Sequence, residues 1–134
     1  MLPVIRLQLL NWRVVLQEEI DETRFKRAVM KSMQTHAVFR THPVIINVRV
    51  KASVKDDIED VPVFLEDNKA RKYGTIDTCG YLFYFSLNKN RLVFHVFHGL
   101  SDGMPSHDFL VTVLSYYFHD VNPALLRNYT RALV

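Results

Sequence analysis

The chain has 134 residues, 49% of them hydrophobic and 23% charged, the balance of one soluble globular domain long enough to bury a core. Its single cysteine, Cys79, excludes an internal disulfide and points to a reducing, cytoplasmic compartment. The net charge of +3 is mild, and the cations lack the dense stripe with interleaved aromatics that a nucleic-acid footprint requires.

The first apolar stretch, MLPVIRLQLLNWRVVLQ, is broken early by Arg6 and is followed by no small-residue cleavage site. It therefore reads as a strand over 4–17 rather than a signal peptide. Asp21 offers an N-cap and Glu22 suits a first helical turn; Phe25, Ala28, Val29, Ser32 and His36 then share one helical face. Arg24, Lys26, Arg27, Lys31 and Arg40 cluster around this helix and read as its solvated side. Pro43 biases His42 toward extended backbone, so the helix should end near 37–40. VIINVRVKASV reads as a strand, Asp56–Asp60 as an acidic turn, VPVFLED as a short strand and 66–78 as irregular.

GYLFYFSL and RLVFHVFH, joined by Asn88-Lys89-Asn90, read as an antiparallel hairpin. Pro105 suits the first turn of a helix, and Phe109, Leu110, Val113, Leu114 and Tyr117 form a stripe that should pack 104–118 on the sheet. The tail from Val121 contains Pro123 and reads as a further short helix. FLVTVLSYYF is too short to span a bilayer, so no membrane is expected. The sum is an α/β two-layer sandwich, a mixed β-sheet covered by helices on one face, with residues 1–134 as a single unit.

Between the last strand and the last helix lies FHGLSDG. Gly99-Leu100-Ser101-Asp102-Gly103 fits G-x-S-x-G, but a triad of that type needs an acid and a histidine from separate strand ends. The downstream candidates, His107, Asp108, His119 and Asp120, all lie on or beside one helix and do not converge on Ser101. A metal site fares no better. His95 and His98 fall on opposite faces of a strand, and the other histidines lack ligand spacing, so no metal is expected. His95 reads as a packed, hydrogen-bonded core residue; Ser101 and Ser106 as loop and cap residues; Cys79 as a packing residue.

His98, Asp102 and Gly103 together form H-x-x-x-D-G. With this motif, RLVFHVFHGLSDGMPSHDFLVTVLSYYF and the earlier IDETRFKRAVMKSMQTHAVFR resemble the chloramphenicol acetyltransferase and condensation-domain superfamily of coenzyme A-dependent acyltransferases. The chain looks most like bacterial alcohol acetyltransferase-like proteins, in which GYLF and NRLVFHVFHGLSDG recur in similar form. The resemblance implies that His98 is the general base for transfer of an acyl group from a coenzyme A thioester, such as acetyl-coenzyme A, to a small-molecule hydroxyl or amine acceptor, with no covalent enzyme intermediate. A neutral imidazole near its working pH suits that task. It also implies that Asp102 is structural, pairing with an arginine for which Arg6 and Arg13 are the candidates, and that Gly103 provides close backbone approach.

Condensation domains usually carry a second histidine just before the base, and Phe97 stands there, which favours simple acyl transfer over peptide-bond formation. The chain resembles only the N-terminal half of a two-half enzyme. A C-terminal half or a homo-oligomeric neighbour is thus expected to complete the cleft. The alternative is a non-catalytic half-domain that acts as a self-associating interaction module.

Overall fold

The computed structural model of the chain describes residues 9–46, 49–66, 69–97, 100 and 103–118. In chain order the elements are β1 (Leu9–Val15), α1 (Glu22–Thr35), a 3-10 turn (Ala37–Arg40), β2 (Thr41–Ile46), β3 (Arg49–Val54) and β4 (Val63–Leu65). A second 3-10 turn (Ile76–Thr78), β5 (Phe83–Asn88), β6 (Arg91–Phe97) and α2 (Gly103–Tyr117) follow. The main sheet has the order β1-β6-β5-β4. Its first two pairings are antiparallel and β4–β5 is parallel, so the sheet is mixed, as expected.

Strand alternation sorts the sheet into two faces. On β5 and β6, Phe83, Phe85, Leu87, Leu92, Phe94 and Val96 are all buried beneath the helices. The expected stripe on α2 supplies the other side: Phe109, Leu110, Val113, Leu114 and Tyr117 are all buried. On α1, Phe25, Ala28, Val29, Ser32 and Met33 are buried, whereas His36 sits just past its end as the C-cap. Aromatic rings weld these layers. Phe39 stacks on Phe109 at 3.9 Å, Phe85 on Phe94 at 4.6 Å, and Phe25 meets Phe85 edge-on at 5.0 Å. Each such ring contributes about 1.5–3 kcal/mol by leaving water.

Local polar contacts fix the ends of the elements. The Asp21 carboxylate accepts from the Arg24 N–H at 3.1 Å, the N-cap read from the sequence, and the Asp21 N–H donates to the Tyr117 hydroxyl at 2.9 Å. Contrary to the expectation from the sequence, Arg40 is not one of the helix's solvated cations: its guanidinium donates to the carbonyls of Met33 and Gln34 at the end of α1 and to that of Lys55 beyond β3. It thus satisfies orphan C-terminal carbonyls and binds the helix to the ribbon. The tip of the β5–β6 hairpin is stitched to residues 16–20 by bonds from Leu16 and Ile20 N–H to Asn90 and Lys89 carbonyls, and from Asn90 Nδ2 to the Leu16 carbonyl.

VIINVRVKASV is not one strand. β2 and β3 pair antiparallel with Ile46 opposite Arg49, forming a separate two-stranded ribbon. The loop after β4 locks against it at Gly74, whose φ is +74° and where an added Cβ would lie 2.6 Å from Pro43 Cγ. Only glycine satisfies both the backbone angle and the contact.

Candidate functional site

β6 lies inside the sheet, held along its full length by β1 on one side and by β5 on the other. It ends at Phe97, whose N–H donates to the Leu82 carbonyl at 3.0 Å, while Leu100 N–H donates back to Phe97 at 2.9 Å. α2 begins at Gly103. The H-x-x-x-D-G segment therefore links the end of an interior strand to the start of the helix that covers the sheet. Gly103 is the first helical residue; His98 and Asp102 lie outside the described residues, as do Arg6, Ser101, His119, Asp120 and the tail from Val121.

Around this junction the described residues are aromatic and polar. Trp12 of β1 and His107 of α2 face each other with ring centroids 5.7 Å apart. Trp12 Nε1 and His107 Nε2 are buried without a hydrogen-bond partner among the described residues. Tyr73 packs on Phe97 at 5.8 Å, and its hydroxyl is held protonated far above the usual phenol range by burial and by Tyr84. Ser106, expected as a loop or cap residue, is fully buried within α2.

The opposite face of the sheet carries a second polar group. His95, expected in the core, is half-buried on the face away from the helices. Its ring stacks on Tyr84 at 4.2 Å and 12°. Nδ1 lies 3.0 Å from Asn11 Oδ1 and Nε2 lies 3.2 Å from Ser86 Oγ. Because an amide oxygen only accepts, Nδ1 carries the proton and Nε2 is left as the acceptor for the Ser86 hydroxyl. Burial, reinforced by Arg13 and Arg71, pulls the His95 pKa down to about 4, so the ring is neutral at physiological pH. Arg13, Glu66, Lys69, Tyr84, Ser86, Val93 and His95 line a depression of about 230 Å³ on this face. Arg13, one of the two candidates for the partner of Asp102, stands here.

Cys79 adopts a left-handed backbone, φ 55°, and burial together with Asp60 raises its thiol pKa, which suits a packing residue more than a nucleophile. Among the described residues no cluster of three or more histidine, cysteine, aspartate or glutamate side chains could hold a metal ion, and no helix is long and apolar enough to cross a membrane.

No protein-family model matches the chain, and no curated protein sequence matches it. Solved structures do. The chain superposes on the starter condensation domain of rhizomide synthetase RzmA with a TM-score of 0.62 and 14% identity, covering 93% of this chain and 37% of that one. The epimerization domain from the third module of tyrocidine synthetase B gives 0.62 and 15%, covering 86% and 30%. Polyketide synthase associated protein 5 from Mycobacterium tuberculosis gives 0.60 and 19%, covering 91% and 30%. The chain thus spans about a third of the length of these structures, and over that length it has the condensation-domain fold.

Proposed function

We propose that this protein is of the acyltransferase type and moves an acyl group from a coenzyme A thioester to a hydroxyl or amine of a small molecule. His98 is the general base, and Asp102 and Gly103 shape the turn that carries it. The observation that supports this reading is the position of residues 98–103, between an interior strand and the helix covering it, in a fold shared with condensation domains. A further neighbour, a variant of the RzmA starter condensation domain, is in complex with C8-CoA, which supports a thioester as co-substrate. Acetyl-coenzyme A is the first donor to try.

His98 directly follows an interior strand in the sequence, and its neutral imidazole can take the acceptor's proton as the acceptor attacks the thioester carbon. The remaining walls of the cleft, and the donors that stabilise the oxyanion, come from a C-terminal half or from a neighbouring copy of the chain. Acetyl transfer from acetyl-coenzyme A should be measured together with the mass of the assembly in solution. His98→Ala should lower turnover by about 10²–10⁴-fold, the usual worth of a general base. Turnover unaffected by that substitution would refute the assignment.

The second reading is a half-domain that associates with itself and performs no chemistry. A stable oligomer without turnover, whose mass is unchanged in His98→Ala, would establish it.

A further inference from the structure

The geometry on the open face of the sheet points to a second reactive centre: we propose that Ser86 is a nucleophile, His95 its general base and Asn11 the residue that orients the base, acting on short acyl esters that carry an anionic group. Three neighbouring strands deliver the parts. Ser86 is on β5, His95 on β6 and Asn11 on β1, and the register sets Asn11 directly opposite His95 and Ser86 opposite Val93, two residues along β6 and on the same face as His95. The contacts run in sequence: Ser86 Oγ to His95 Nε2 at 3.2 Å, then His95 Nδ1 to Asn11 Oδ1 at 3.0 Å.

Nucleophile, base and orienter within hydrogen-bond reach, with the tautomer fixed by the third member, is the arrangement that nucleophilic catalysis demands. Tyr84 stacked beneath the imidazole holds the ring plane. Both Ser86 and His95 are only half-buried and line the depression of about 230 Å³, so a small ester can reach them. Arg13 and Lys69 line the same depression together with Glu66, whose carboxylate accepts from Asn88 Nδ2 at 2.8 Å. Lys69 is also paired with Asp77 at 3.3 Å, whereas Arg13 has no ion pair among the described residues. Arg13 therefore supplies the charge that selects an anionic substrate.

In the reaction, Oγ bonds to the ester carbonyl carbon and its proton passes to His95 Nε2. The carbon–oxygen bond to the leaving alcohol then breaks, and that alcohol takes the proton from Nε2. Water, deprotonated in turn by His95, cleaves the acyl-serine to a carboxylic acid and restores the hydroxyl. Asn11 is neutral, and Arg13 on β1 and Arg71 in the loop before β5 both oppose a charge on the ring. The base is consequently weak and the centre slow, but it stays unprotonated well into acid.

The test is labelling of the full chain by a fluorophosphonate probe, in which Oγ displaces fluoride from phosphorus, with the adduct mapped by mass spectrometry. The expected result is one adduct on Ser86, absent in Ser86→Ala and formed about 10²-fold more slowly in His95→Gln. The wild-type labelling rate should stay flat from about pH 8 to about pH 5, since the ring protonates only near pH 4. Asn11→Asp should move the acid limb of that profile toward neutral pH, because a carboxylate favours the imidazolium, an effect that loss of packing would not produce. Arg13→Ala should slow cleavage of mono-4-nitrophenyl succinate more than that of 4-nitrophenyl acetate. Absence of an adduct on Ser86 in the wild-type chain would overturn the proposal. So would labelling that His95→Gln leaves unchanged in rate while its thermal melt shows a folded chain.

Discussion

The two faces of the β1-β6-β5-β4 sheet are built from the same strands yet follow opposite rules. Toward the helices every β5 and β6 side chain is apolar and buried, and rings from α1, α2 and the Ala37–Arg40 turn fill the gaps. Away from the helices the same strands present Tyr84, Ser86, Val93 and His95, joined by Asn11 and Arg13 of β1. The first face is held by area removed from water, which is non-directional and tolerates little loss of volume. The second is held by directed contacts, in which one missing partner leaves another polar atom stranded. The two kinds of contact are therefore separable here by substitution.

The largest effect should come from the closed face. Phe94→Ala removes a ring that stacks on Phe85 and touches Phe39, Phe83 and Phe109. Equilibrium urea unfolding should show a loss of about 3–5 kcal/mol, the usual cost of a buried aromatic cut to alanine. A loss below about 1 kcal/mol would mean that the core is far looser than its rings imply.

Next in size is Gly74→Ala, where the loop after β4 meets the β2–β3 ribbon. The positive φ alone costs about 1–3 kcal/mol in a residue with a side chain, and the Cβ would run into Pro43. Thermal unfolding should register a destabilisation of about that size. Pro43→Ala in the same background should restore part of it by removing the obstructing ring atoms, whereas equal stability of the single and double variants would assign the whole cost to the backbone angle.

Asp21→Ala should cost about 1 kcal/mol, the worth of an N-cap whose carboxylate holds the Arg24 N–H. Tyr117→Phe removes the acceptor of the Asp21 N–H and should cost a similar amount by urea unfolding, about 1 kcal/mol. The two should be less than additive, since both act on the first turn of α1.

The helices and the β5–β6 hairpin were legible because their signals are local. A 3.6-residue stripe, an aspartate before Glu22 and an asparagine-containing turn each report on neighbours within a few positions. The β2–β3 ribbon was not, because a single Asn in a run of β-branched residues gives little sign of a reversal. Arg40 looked like one more surface cation, since its carbonyl partners are set by where the chain goes after α1. The Asn11–His95–Ser86 contact was invisible for the same reason: it depends on the register of three strands drawn from both ends of the chain. Period-two alternation set His95 apart from Phe94 and Val96, but it could not say that its side of the sheet is open to a depression.

The smallest expected effect concerns that open face and acidity. His95 has a pKa near 4 when folded against 6.5 for the free side chain, so between these values the unfolded chain binds a proton that the folded chain refuses. A depressed folded-state pKa contributes stability above the unfolded value, lost as the pH falls through 6.5 toward 4. Because the ring is only half-buried, solvent screens the cost and the effect stays well below that of the core substitution. Urea midpoints of the wild type and of His95→Gln should therefore be compared across this window. The difference between them should shift against the wild type as the pH falls, since only the wild type carries this histidine. A constant difference would mean that the imidazole gains its proton without losing Asn11 or Ser86, and that its neutral state is not what holds the open face in register.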